Sequence, residues 1–277
     1  LDPAYEAEIE AAWADREQRL TADDGWLTLT GLFWLERGPN ITGSAEDAAV
    51  RLPDGPALVG SLHLGDDGAV TLLPDPDGGL EVNGEPASEG ALAADDSGRP
   101  DLLHSGRALF YLIRRGDRIG VRVKDPEAST RVRFNGLERF PINPDFRISA
   151  VFEPYPEPRE VAIPTVIGEL STMLAPGLLR FSVGDEEVSL EPYVSGPNDR
   201  GLFLVFRDAT SGDTTYGAGR FLDARLTEGS TEVVLDFNLA TNPPCAFTPF
   251  ATCPLPTPEN TLFVAVEAGE RYTGPAH

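Results

Sequence analysis

The sequence holds two cysteines, one methionine and three histidines in 277 residues, and among its 22 basic side chains only Lys124 is a lysine. Each scarcity excludes something. Two cysteines, Cys245 and Cys253, cannot make a disulfide-rich scaffold, and two thiolates alone do not close a tetrahedral zinc site. His63, His104 and His277 are far apart in sequence, which leaves a serine triad short of a base, and Ser211 lacks the glycine two residues earlier that a nucleophile elbow requires. No apolar run approaches the ~18 residues needed to cross a bilayer. The longest, at 26–35, is broken by Thr28, Thr30 and Gly31. No charged-then-apolar leader opens the chain, which begins at Leu1 rather than Met. The expectation is a soluble, cytoplasmic protein with no membrane partner, no metal and no cofactor, in an oligomeric state the sequence leaves open.

What is abundant is negative charge. Acidic residues number 45 against 22 basic ones, for a net charge of −23. Dense carboxylates keep a surface hydrated in concentrated salt, where their repulsion is screened to a few ångströms, so the composition is that of a halophilic bacterial or archaeal protein. An acidic surface evolved for a basic partner is the other reading. The same charge excludes a nucleic-acid partner, because phosphate binding needs clustered Lys and Arg. Arg114, Arg115, Arg118 and Arg122 come nearest to a cluster, but they flank the Gly116-Asp117 turn of a hairpin.

The pattern predicts a mainly β fold: one N-terminal helix within residues 1–24, then two packed antiparallel β regions, sandwich-like or barrel-like, at 25–140 and 141–277. Asp2 is placed to cap a helix with Pro3 in its first turn, and Tyr5, Ile9, Trp13, Arg16 and Leu20 recur at helical spacing. Beyond the Asp23-Asp24-Gly25 turn the period becomes two. Strands are expected at 58–64, 69–73, 80–82, 108–113 and 119–123, with Asn83-Gly84 a hairpin turn. Six prolines between Pro141 and Pro164 mark a boundary around one alternating strand at 146–152. Further strands are expected at 181–183, 188–190, 202–206, 220–222, 233–237 and 262–266.

The C-terminal part carries the distinctive text: Asp208-Ala-Thr-Ser-Gly-Asp-Thr-Thr-Tyr216-Gly-Ala-Gly-Arg220, then Asp236-Phe-Asn238, Asn242-Pro-Pro-Cys245, Glu259-Asn260 and Glu267-Ala-Gly-Glu270. With residues 25–35 upstream, these stretches resemble the bacterial and archaeal domain-of-unknown-function family DUF1684 over nearly the whole chain. The resemblance implies no reaction, substrate or catalytic residue.

Read for their own chemistry, these residues could converge into a polar pocket for a small polar or anionic metabolite. Arg220 would hold a carboxylate or phosphate bidentately, with Tyr216, Asp236, Asn238 and Asn242 as lining. A hydrolase using Asp208 with Asp236 as an acid/base pair, or Cys245 as nucleophile, is the alternative. The third reading is architectural: Asp236 or Glu267 neutralises Arg220 and the signature ties loops together, with no small-molecule site. Cys245 and Cys253 read as buried thiols, a disulfide or a nucleophile. Gly217-Ala-Gly219 does not follow a dinucleotide pattern.

Overall fold

A computed structural model describes residues 1–272 and 274; His277 lies outside them. The protein is mainly β, and its chain forms two units. One comprises residues 1–18, 135–246 and 252–277, the other 19–134 and 247–251. None of the described helices is long and apolar enough to cross a membrane.

The helix Pro3–Thr21 opens the chain as its cap and spacing predict, with the Asp2 carboxylate accepting from the Ala4 amide at 3.0 Å. Ile9 and Trp13, from its apolar face, are buried.

The unit built on residues 19–134 holds two sheets. In the six-stranded one, Arg118–Lys124 is flanked by Leu29–Trp34 and Ala108–Arg115; the five-stranded one includes Gly38–Gly43, Gly60–Leu64 and Val70–Pro74. Alternate residues Leu62, Leu72, Phe110, Leu112, Val121 and Val123 point into one core. Asn83 takes a φ of 53° and Gly84 one of 85° between paired Val82 and Glu85, the left-handed pair that an Asn-Gly hairpin turn requires.

The other unit is built on a four-stranded antiparallel sheet in the order Glu186–Leu190, Leu170–Val183, Arg147–Pro164, Glu232–Asp236. A hairpin pair, Gly201–Phe206 with Arg220–Arg225, contributes Leu204, Phe206 and Leu222 to the core that the sheet supplies with Leu179 and Leu235, and Phe237, just past the last strand, joins it. The proline-rich segment carries one long strand. The strand Arg147–Pro164 runs through Pro154, Pro156 and Pro158, because the register shifts between Pro154 and Arg159 and the prolines, which have no N–H to donate, sit in the irregular stretch. Opposite it, Gly177 is required: a Cβ there would lie 2.3 Å from the Glu153 carbonyl oxygen.

The strand expected at 262–266 does not form. The Leu262 amide and the Val264 carbonyl bond the backbone of Arg207 and Ala209, but at Val266 side chains take over: its amide donates to Asp208 at 2.7 Å, and its carbonyl accepts from Arg220 at 2.9 Å.

Candidate functional site

Arg220 begins the strand Arg220–Arg225 and is 0 % exposed. Its guanidinium donates to the carbonyls of Ala268 and Val266 and to the Asp208 carboxylate at 3.3 Å; Nε has no acceptor among the described residues. Asp208, whose side chain is equally enclosed, also accepts from the Thr210 and Ser211 hydroxyls and the Val266 amide. Burial pushes the Arg220 pKa down and the Asp208 charge opposes it. Arg220 thus offers no donor to solvent. Its partner is Asp208, not Asp236 or Glu267, and the pair closes the 208–219 loop onto 266–268. Gly219 serves the same closure: its φ is 97°, and a Cβ would meet the Phe206 carbonyl at 2.5 Å.

Asp236 and Asn238 lie elsewhere in the unit, under the N-terminal helix. Tyr5 donates its hydroxyl to Asp236 at 2.9 Å, and Arg147 approaches the same carboxylate at 3.3 Å. Asn238 takes the Asn143 amide on its side-chain oxygen and the Trp13 indole N–H on its carbonyl. Burial, then the Asp236 hydrogen bond, pushes the Tyr5 phenol up to about 12. Asn242 belongs to a third cluster. Its amide donates to Glu270, which also binds Arg16 at 2.8 Å, and its side-chain N–H₂ donates to the Arg271 carbonyl. Burial raises the Glu270 pKa, with Arg16 opposing.

Of the five expected lining residues, Arg220, Asp236, Asn238 and Asn242 are therefore spent on internal ties, and the structure does not gather them around one cavity. Asp208 and Asp236 do not meet as a pair either, since each has its own enclosing partners. Tyr216 lines a small recess that it shares with Tyr272.

A larger depression lies elsewhere on the same unit. It is a groove of about 710 Å³ between Thr172–Leu174, the 193–203 segment and Asp223-Ala224. Met173, Leu174, Tyr193 and Phe203 form its apolar part, and Glu160, Asp199 and Asp223 supply carboxylates; no lining residue is basic. The Gly201 and Ser195 amides hold the Asp199 carboxyl below the usual carboxylate range, so it is ionised at neutral pH. Tyr193 is fixed from behind by the fully buried Asn260, which accepts from the Glu191 amide at 2.8 Å and donates to the Glu191 carbonyl at 2.9 Å. Burial pushes the Tyr193 phenol up to about 12.

Residues 132–271, which hold every cluster just described except its helix and Tyr272 contributions, match a family model described as "Protein of unknown function (DUF1684)". The chain belongs to the DUF1684 family. A similar solved structure is the solution NMR structure of an uncharacterised protein of Haloarcula marismortui, 35% identical over 51% of this chain and 78% of its own, with a TM-score of 0.44. No curated protein matches the chain. In this DUF1684 member the signature residues Asp208, Arg220, Asp236, Asn238, Asn242 and Asn260 are joints between segments far apart in sequence. The groove residues Glu160, Met173, Tyr193 and Phe203 were not singled out in the sequence. They lie in ordinary alternating or loop text, and the one available signal was Asn260, whose role is to hold the segment that carries Tyr193.

Proposed function

We propose that this DUF1684 protein is a binding protein for a small molecule that pairs an apolar body with a positive charge, taken up in the Tyr193–Phe203 groove. One observation carries the reading: a groove of about 710 Å³, in the size range of small-ligand sites, combines an apolar lining with carboxylates and has no basic side chain. An anionic metabolite, the expectation built on Arg220, would meet repulsion there and no exposed guanidinium. Binding by an ammonium near Asp199 and Asp223, with its apolar part against Phe203 and Tyr193, uses both features of the lining. A hydrolytic reading through Asp208 or Asp236 would need a carboxylate turned toward substrate, and both are surrounded by internal donors.

The reading includes a salt-loaded, reducing cytoplasm as the setting, without nucleic-acid or membrane partners. Its support is the ratio of 45 acidic to 22 basic residues and the two cysteines present as free thiols.

The test is a thermal-shift comparison of benzylammonium with the isosteric benzoate. The ammonium should raise the melting temperature and benzoate should not. Gly196→Phe, at a position where an added Cβ meets nothing within 4 Å, should fill the groove and abolish the shift without harming the fold. Equal shifts by both compounds, or a shift that survives Gly196→Phe, would overturn the proposal.

A further inference from the structure

The chain's two cysteines are both buried free thiols, and neither takes part in the groove. They are neighbours across the 246–252 segment: the Cys245 amide donates to Cys253 Sγ at 3.3 Å. An N–Cα bond of ~1.46 Å keeps the Cys253 sulfur within about 4.8 Å of the Cys245 Cα. The two cysteines are therefore side by side, as a disulfide requires. Tyr216 donates its hydroxyl to the Cys245 carbonyl at 3.1 Å, and its ring packs edge-on against Tyr272 at 4.8 Å between centroids. The two rings wall a recess of about 120 Å³ with Gly212, Asp213 and Gly217.

We propose that Cys245 and Cys253 form a peroxide-reactive dithiol that closes to an intramolecular disulfide. The Cys245 thiolate attacks one oxygen of hydrogen peroxide; an S–O bond forms, the O–O bond breaks, and the departing hydroxide takes up a proton as water. The Cys253 thiolate then attacks the Cys245 sulfur; the S–S bond forms, the S–O bond breaks, and the second hydroxide leaves as water. Two thiols are oxidised by two electrons, one peroxide is reduced to two waters, and the thiol protons end in that water. Cys245 is the attacking residue because the hydrogen bond from the Cys253 thiol pulls its pKa below that of an ordinary thiol, against the opposing effect of burial. The pairing of a nucleophile with a resolving thiol is what stops oxidation at the reversible stage.

The test uses the whole reduced protein treated with hydrogen peroxide, unfolded and alkylated with iodoacetamide, and weighed intact. With only two cysteines in the chain, the result is unambiguous. The expected outcome is a fall from two alkyl groups per chain to none, with loss of two hydrogen masses and full recovery after dithiothreitol. Cys253→Ser should leave a dimedone-reactive sulfenic acid on Cys245. If that variant fails to fold, the wild-type mass still decides. Two thiols that stay alkylatable, a covalent dimer, or one cysteine driven to sulfinic acid while the other stays reduced would each overturn the proposal.

Discussion

Replacing Arg220 by Met removes the charge while keeping an apolar side chain of similar reach in a site with no solvent exposure. Asp208 then keeps its donors from Thr210, Ser211 and Val266 but loses its counter-charge. Stripping one partner from a buried ion pair costs about 3–5 kcal/mol. The Val266 and Ala268 carbonyls lose their guanidinium donor as well, and each unsatisfied buried acceptor adds about 1–3 kcal/mol, less than additively because the groups form one network. Against a total stability of about 5–15 kcal/mol, a loss of at least about 3 kcal/mol leaves the fold marginal. At a urea slope of ~1–3 kcal/mol/M, it lowers the unfolding midpoint by roughly 1–3 M. The assay is urea denaturation at fixed salt, followed by circular dichroism. Adding Asp208→Asn to Arg220→Met should recover part of the loss, because the stranded carboxylate is then neutral. A single variant within about 0.5 kcal/mol of wild type would refute the clasp, since that is the range of changes that touch no such feature. Destabilisation unchanged or deepened in the double variant would show that Asp208 was not the partner that mattered.

Two further expectations concern charge. Burial holds the Glu270 pKa above its unfolded value, so the folded state binds the proton more tightly and wild-type stability falls as pH rises from the unfolded value of ~4.3 toward the raised folded one. Glu270→Gln abolishes that loss and should gain stability relative to wild type over the same rise; the opposite trend would mean that the Arg16 pairing outweighs desolvation. Under the salt-adaptation reading, a net charge of −23 predicts a melting temperature that climbs from dilute buffer to molar potassium chloride. Melting that does not change with salt would remove that reading.

The fold class was legible in the sequence because it rests on local signals: the Asp2 cap and helical spacing of the first element, the Asn83-Gly84 turn, and the alternating hairpin around Gly116-Asp117; the family was legible in the run of unusual text from Asp208 to Glu270. Two features were not legible for a physical reason. The long strand through Pro154, Pro156 and Pro158 is permitted by a register shift opposite Gly177, a feature of the pairing and not of the local sequence. Residues 262–266 read as a strand, but the segment's backbone pairing with 207–209 gives way at Val266, whose amide and carbonyl are taken by Asp208 and Arg220, some fifty residues upstream. The candidate site was harder still. Residue chemistry marked Arg220, Asp236, Asn238 and Asn242 as polar and unusual, but buried ties and open binding groups use the same side chains. Pattern alone does not say whether an arginine faces a ligand or an internal aspartate.

The central claim is that small-molecule recognition lies in the acidic, apolar groove and not around Arg220. Amide chemical-shift mapping during titration with benzylammonium tests it most directly. The account predicts shifts confined to residues 172–174, 193–203 and 223–224, with Arg220 and its carbonyl partners at 266 and 268 unmoved. Shifts centred on Arg220, or none at saturating ligand, would contradict it.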